Sequence, residues 1–188
     1  MNDTSFITIL AFGLVATAIG LSVTAIRSRI SWLAAPAAVP VIVILVTDAL
    51  GQLAAPLPVR VALIVAITVL GVIGGSPLVA LVLKLATPES ATLGAHGGIL
   101  VRDTTSPPPQ RDREVLRGGA AIGYLERFAL IGAVLAGQAA AVAIIVAIKG
   151  LGRFSELESA AARERFIIGT LASLVWASVA AAAAVAVW

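Results

Sequence analysis

The charged residues of this chain are gathered into a few places, and between them run long apolar stretches. A helix needs about 20 mainly apolar residues to cross a hydrocarbon layer ~30 Å thick, because it rises 1.5 Å per residue. Phe6 to Ile26 meets that length without a charge, and Arg27 and Arg29 end it. Trp32 to Leu50 is predicted as a second span. Its Pro36 and Pro40 fall in the first turns, where a missing amide hydrogen costs least. The turn from Gln52 to Pro58 leads to a third span, Val59 to Gly75, which Gly74-Gly75-Ser76-Pro77 then interrupts. Proline is suited to begin a helix and unsuited to continue one. Pro77 to Ala86 is therefore expected as a separate interfacial helix, with a kinked extension of the third span as the alternative.

Thr87 to Arg117 is the one long polar stretch. Its Gly97-Gly98, Pro107-Pro108-Pro109 and mixed charges predict a largely irregular loop. A fourth span follows from Ile122 to Ile148. A polar helical connection then runs from Arg153 to Arg165, with Ser155 and Glu158 at capping-box spacing. Phe166 to Trp188 makes a fifth span. The fold this describes is all-α: a single-domain transmembrane helical bundle of about five spans plus a short interfacial helix. Small residues four apart (Ala16 and Gly20, Gly71 and Gly75, Gly119 and Gly123, Gly169 and Ser173) let helix backbones approach in lipid. They read as packing inside the bundle, with an oligomer interface as the sharper alternative.

Composition agrees with lipid as the solvent. Hydrophobic residues make up 60% of the 188 and charged residues 12%, against roughly 25% charged in a soluble domain. A cleaved signal peptide is not expected, since Met1 to Ser5 lack a positive charge. The absence of cysteine excludes disulfides, thiol catalysis and thiolate metal sites, and the lone His96 cannot form a histidine cluster. No metal, cofactor or nucleic acid is expected. The net charge is only +3, and the basic residues sit mainly at the ends of apolar runs, where membrane topology needs them. With the N-terminus outside and the C-terminus inside, the inner segments hold Arg27, Arg29, Lys84, Arg102, Arg111, Arg113, Arg117 and Arg127. The outer ones hold Arg60, Lys149, Arg153, Arg163 and Arg165, a modest bias that places residues 87–117 in the cytoplasm.

The polarity that membrane anchoring does not explain lies in the second half. Glu126 and Arg127 fall about one turn inside the fourth span. A charge there costs several kcal/mol unless it is paired or hydrated, which marks a candidate ion or substrate site. The competing reading keeps both at the interface, with Arg127 snorkelling to phosphates. Lys149 and Arg153, with Glu156, Arg163, Glu164 and Arg165, could hold a phosphate or an anionic lipid headgroup, or could simply anchor and pair at the surface. On one straight helix Glu126 and Lys149 would be roughly 34 Å apart, so they would define two sites or none. Asp48 is a weaker candidate, as a cation ligand or a helix-end residue. Gln138, in the middle of the fourth span, is expected to hydrogen-bond another helix.

The ordered pieces GGSPLV, LRGGAAIGYLER, IKGLGRFSEL and RERFIIGTLAS resemble a family of bacterial integral membrane proteins of unknown function, over a little more than half the chain. The resemblance implies a helical membrane location. It also implies that Gly119, Gly123, Glu126, Arg127, Lys149, Arg153, Phe154, Glu156, Glu164, Gly169 and Thr170 match a family pattern; it implies no activity. Some relatives carry a different N-terminal membrane segment with His and Asp residues, which this chain lacks.

Three classes of function fit these features. The first is transport or permeation of a small ion or lipid-like substrate by an oligomer in the bacterial cytoplasmic membrane. The second is a structural or accessory subunit of a membrane complex. The third, with least support, is a membrane-interface enzyme acting on a phosphate-bearing lipid. No residue is nominated as catalytic, because the chain has no nucleophile–base pair, HExxH, Walker-type loop or clustered carboxylates.

Overall fold

The computed structural model describes residues 3–50, 55–86, 99–101, 113–115, 119–154 and 160–188. They form an all-α helical bundle. Among them, Ile7–Ser28, Ser31–Ala49, Leu57–Ala86 and Ala162–Val187 are long and apolar enough to cross a membrane.

Helix α1, Asp3–Ser28, ends where Arg29 takes a left-handed φ of 57° and turns the chain back. The return leg opens as a 3₁₀ segment, Ser31–Ala37, and continues as α2, Ala38–Ala49. Helix α3, Leu57–Ala86, runs without a break through Gly74-Gly75-Ser76-Pro77. The expected separate helix from Pro77 to Ala86 does not form; the alternative, extension of the third span, is what the chain adopts. Proline is tolerated inside a membrane helix where it is buried in protein, and here a guanidinium sits beside it, bonded to the neighbouring Val72 carbonyl, as described below.

Helix α6, Ala160–Val187, packs antiparallel to α3. At one end Arg60 Nε donates to the Val187 carbonyl at 2.6 Å; toward the other, Gly169 lies against Val79 and Leu83. Helix α1 runs parallel to α3, with Ser22 seated over Gly74. The core is built from α1, the 3₁₀ segment, α2, α3, α6 and the helix that follows the polar segment, through Val15, Ile44, Leu63, Ile67, Leu70, Ile131, Trp176 and a run of alanines on α6. Those alanines let α3 and α6 approach closely, as small residues do in lipid.

The expected fourth span, 122–148, is not one helix. Helix α4, Gly119–Leu135, stops at a turn, and α5, Ala139–Phe154, runs back. Gly137 supplies φ 69°, a conformation that carries little penalty only for glycine. The Gln138 amide closes the turn on the Ala133 carbonyl at 2.8 Å. Helix α4 is antiparallel to α3, because Gly71 faces Ile131 and Gly75 faces Arg127. It therefore starts at the end of the bundle where α3 finishes and turns back about level with Ile67. That depth is seven residues, or roughly 10 Å, short of Arg60. The α4–α5 pair is a hairpin that turns back within the bundle, and among the described residues four helices rather than five are long and apolar enough to cross a membrane. The same packing directions bring the start of α1 and the end of α6 to one end of the bundle, where five spans would place them at opposite ends.

The polar segment is not wholly irregular. Strand β1, Ile99–Val101, pairs antiparallel with β2, Arg113–Val115, with Ile99 opposite Val115. The rest of that segment, His96 included, lies outside the described residues, as does the Ser155–Glu158 capping box.

Candidate functional site

The Gly-Gly-Ser-Pro sequence makes a notch in α3. Pro77 has no amide hydrogen, so the Ile73 carbonyl lacks its helical donor, and Gly74 and Gly75 present bare backbone beside it. Two side chains enter from other helices. Trp176 of α6 donates its indole Nε1–H to the Gly71 carbonyl at 2.9 Å. Arg127 of α4 lies directly on Gly75, so closely that a β-carbon there would come within 2.5 Å of its Cδ.

Arg127 is 4% exposed. Its Nε donates to the Val72 carbonyl at 2.8 Å, Nη1 to Ser173 Oγ at 3.1 Å and Nη2 to Ser76 Oγ at 2.8 Å. Its Cζ lies 5.2 Å from the centre of the Tyr124 ring, within the range of a cation–π contact. Gly123, one turn earlier, leaves room for Nη1. The guanidinium is level with Gly75, nine residues and roughly 14 Å deeper than Lys84. The snorkelling expectation is thus overturned for Arg127: the side chain points into the bundle because α3 offers a carbonyl and α3 and α6 each offer a hydroxyl.

Glu126, on the next position of α4, faces α5 and forms a hydrogen-bonded ion pair with Lys149 Nζ. The two side chains are only 16% and 14% exposed. Their expected separation into two sites fails, because the turn at Gly137 folds the hairpin and brings them together. The structure therefore joins three of the nominated residues, Glu126, Arg127 and Lys149, at one depth. Arg127 finds only neutral hydrogen-bond partners among the described residues, and Lys149 is matched by Glu126.

The other nominated residues are placed elsewhere or not described. Glu164 is exposed in the first turns of α6, and Asp48 is exposed near the end of α2, far from the hairpin charges. Arg153 belongs to α5, but its side chain lies outside the described residues, as does all of Glu156. Gln138 is an exposed turn residue and does not bridge to another helix through its described bonds. Gly169 makes ordinary packing contact with α3, whereas Gly123 faces Arg127. Gly119 opens α4. Ala16 and Gly20 are exposed on α1 and pack on nothing inside the bundle.

Ser76, Ser173, Tyr124 and Trp176 complete the site and were not nominated from sequence. Ser76 and Ser173 each had a visible signal: Ser76 follows Gly74-Gly75 directly, and Ser173 lies four residues after Gly169. Among the described residues no group of three or more His, Cys, Asp or Glu side chains could hold a metal ion. No family model matches the chain, and neither a curated protein nor a solved structure does.

Proposed function

We propose that this is a small transport or permeation protein of a bacterial cytoplasmic membrane, acting as an oligomer. The observation that carries the reading is the hairpin, which holds Glu126, Arg127 and Lys149 together inside an apolar bundle. Broken helices with charges at membrane depth recur where ions or substrates are bound. Oligomerisation is supported by the hairpin turn. Ala136, Gly137 and Gln138 are exposed, and non-helical backbone at this depth requires cover by protein or water.

The helix directions support one orientation over the other. Among the described helices, Arg60 is the one lysine or arginine at the end where α3 starts; Arg127, Lys149 and Arg153 are carried by the hairpin, and Arg27, Arg29, Lys84, Arg163 and Arg165 lie near helix ends on the opposite side. Under the positive-inside rule, that opposite side is cytoplasmic and both ends of the chain are outside. The bias is far stronger than the five-span arrangement allows.

The test is flux in proteoliposomes loaded with potassium phosphate or potassium chloride. Glu126→Gln should suppress wild-type flux while the protein remains folded and monodisperse; absence of flux in the wild type refutes the reading. One observation favours a second role, an accessory subunit: the bonds of Arg127 tie α3, α4 and α6 into one unit, as a structural clamp would. That role predicts stable co-purification with another membrane protein from gentle detergent.

A further inference from the structure

Ser76 and Ser173 are engaged differently from the hydroxyls whose bonds stay within one helix. Thr17, Ser22, Thr24, Ser28, Thr47 and Thr68 each donate back to a carbonyl of their own helix. Ser76 and Ser173 instead accept from Arg127, and neither donates in the hydrogen bonds among the described residues. A serine that accepts still has its O–H to give, and a guanidinium carries five N–H donors. Three are used on Val72, Ser173 and Ser76, so two N–H and two O–H hydrogens remain. One or two of these can serve the Ile73 carbonyl that Pro77 leaves without its helical donor, and the Val72 carbonyl is already taken, so the cluster still has donors to spare. It is also cationic: Glu126 and Lys149 neutralise one another, leaving the charge of Arg127. Ser76, unlike Arg127 and Ser173, is partly exposed, so the cluster reaches the surface of the bundle beside α3.

From this donor excess we infer that Arg127, Ser76 and Ser173 form a receptor for a singly charged tetrahedral oxyanion of the phosphate type. This deepens the transport reading and rests on it for the route by which the anion arrives. An oxyanion supplies several acceptor lone pairs to converging donors, and the planar fork of arginine matches phosphate oxygens where an ammonium would not. A spherical halide supplies charge without that geometry. A phosphodiester headgroup and dihydrogen phosphate share this chemistry, and the net single positive charge suits either one.

The protein in phosphatidylcholine nanodiscs, titrated with inorganic phosphate by calorimetry, tests the free ion. Native mass spectrometry after exchange into phosphatidylglycerol tests the headgroup. One of the two should bind, and chloride should not compete. Arg127→Lys keeps the charge and should weaken binding at least about ten-fold. Ser76→Ala combined with Ser173→Ala leaves Arg127 in place and should weaken binding several-fold, so the test survives if the arginine variant fails to fold. Binding unchanged in the serine variant, or no binding of either probe to the wild type, overturns the receptor. Phosphate binding without flux would sustain the receptor and remove the transport reading; flux of potassium chloride without binding of either probe would do the reverse.

Discussion

Replacing Gly75 with alanine probes the contact on which the site depends. The new β-carbon would lie 2.5 Å from Arg127 Cδ, 2.6 Å from Nε and 2.9 Å from Cζ. These atoms are the middle of a side chain whose far end is pinned by three hydrogen bonds, so they cannot swing aside as a free tip would. Either α4 moves off α3, or the guanidinium withdraws from Val72, Ser76 and Ser173. Overpacking of this kind costs ~1–3 kcal/mol, and each hydrogen bond to a charged group that is lost costs ~1.5–3 kcal/mol. Against this, alanine gains up to ~1 kcal/mol over glycine within a helix. The expected net loss is about 2–4 kcal/mol, read as a lowered unfolding midpoint in mixed micelles by circular dichroism. Gly20→Ala is the control, because nothing lies within 4 Å of its added carbon, and it should be neutral or stabilising. In an Arg127→Met background the loss from Gly75→Ala should shrink markedly. If Gly75→Ala is as stable as Gly20→Ala, the close approach of α4 to the α3 notch is wrong.

The hairpin makes further predictions. In this cysteine-free chain, single cysteines at Ser28, Thr105 and Ser159 should label from one side of the membrane and one at Ala55 from the other. Labelling of Ser159 from the side of Ala55 would restore a straight fourth span. Glu126→Lys and Lys149→Glu should each cost about 3 kcal/mol, since breaking a largely buried pair strands a charge. The double exchange should recover most of that loss, and an unrecovered double variant would separate the two residues again. Gly137→Ala should cost ~1–2 kcal/mol, because L-residues resist the left-handed conformation. Gly132→Ala, within α4 and with open space around it, should cost nothing; equal midpoints for the two variants would argue against the turn.

The candidate charged residues were legible in the sequence, but not their arrangement. Arg127, Glu126 and Lys149 stand out because charges inside apolar runs are costly. Which of them meet depends on where the helix containing them ends, and Gly137-Gln138 is too small a signal within a long apolar run to announce a reversal. Ser76 and Ser173 were invisible as ligands, since a membrane-helix hydroxyl can always satisfy itself on its own backbone. Only the approach of Arg127 shows that these two do something else.

Hydropathy along the chain was sufficient to establish a membrane-embedded helical bundle, because lipid tolerates uncovered apolar residues and demands internally bonded backbone. It also located Arg27 and Arg29 as the end of the first span. It could not decide whether Ile122 to Ile148 crosses the membrane or turns back, since both choices expose the same residues to the same solvent. That decision rests on packing. Bare backbone at Gly71 and Gly75 lets α4 lie against α3, and the alanine face of α6 closes the other side. With the hairpin folded, the helices long and apolar enough to cross number four among the described residues, α1 starts and α6 ends at one end of the bundle, and the buried cation acquires its neighbours.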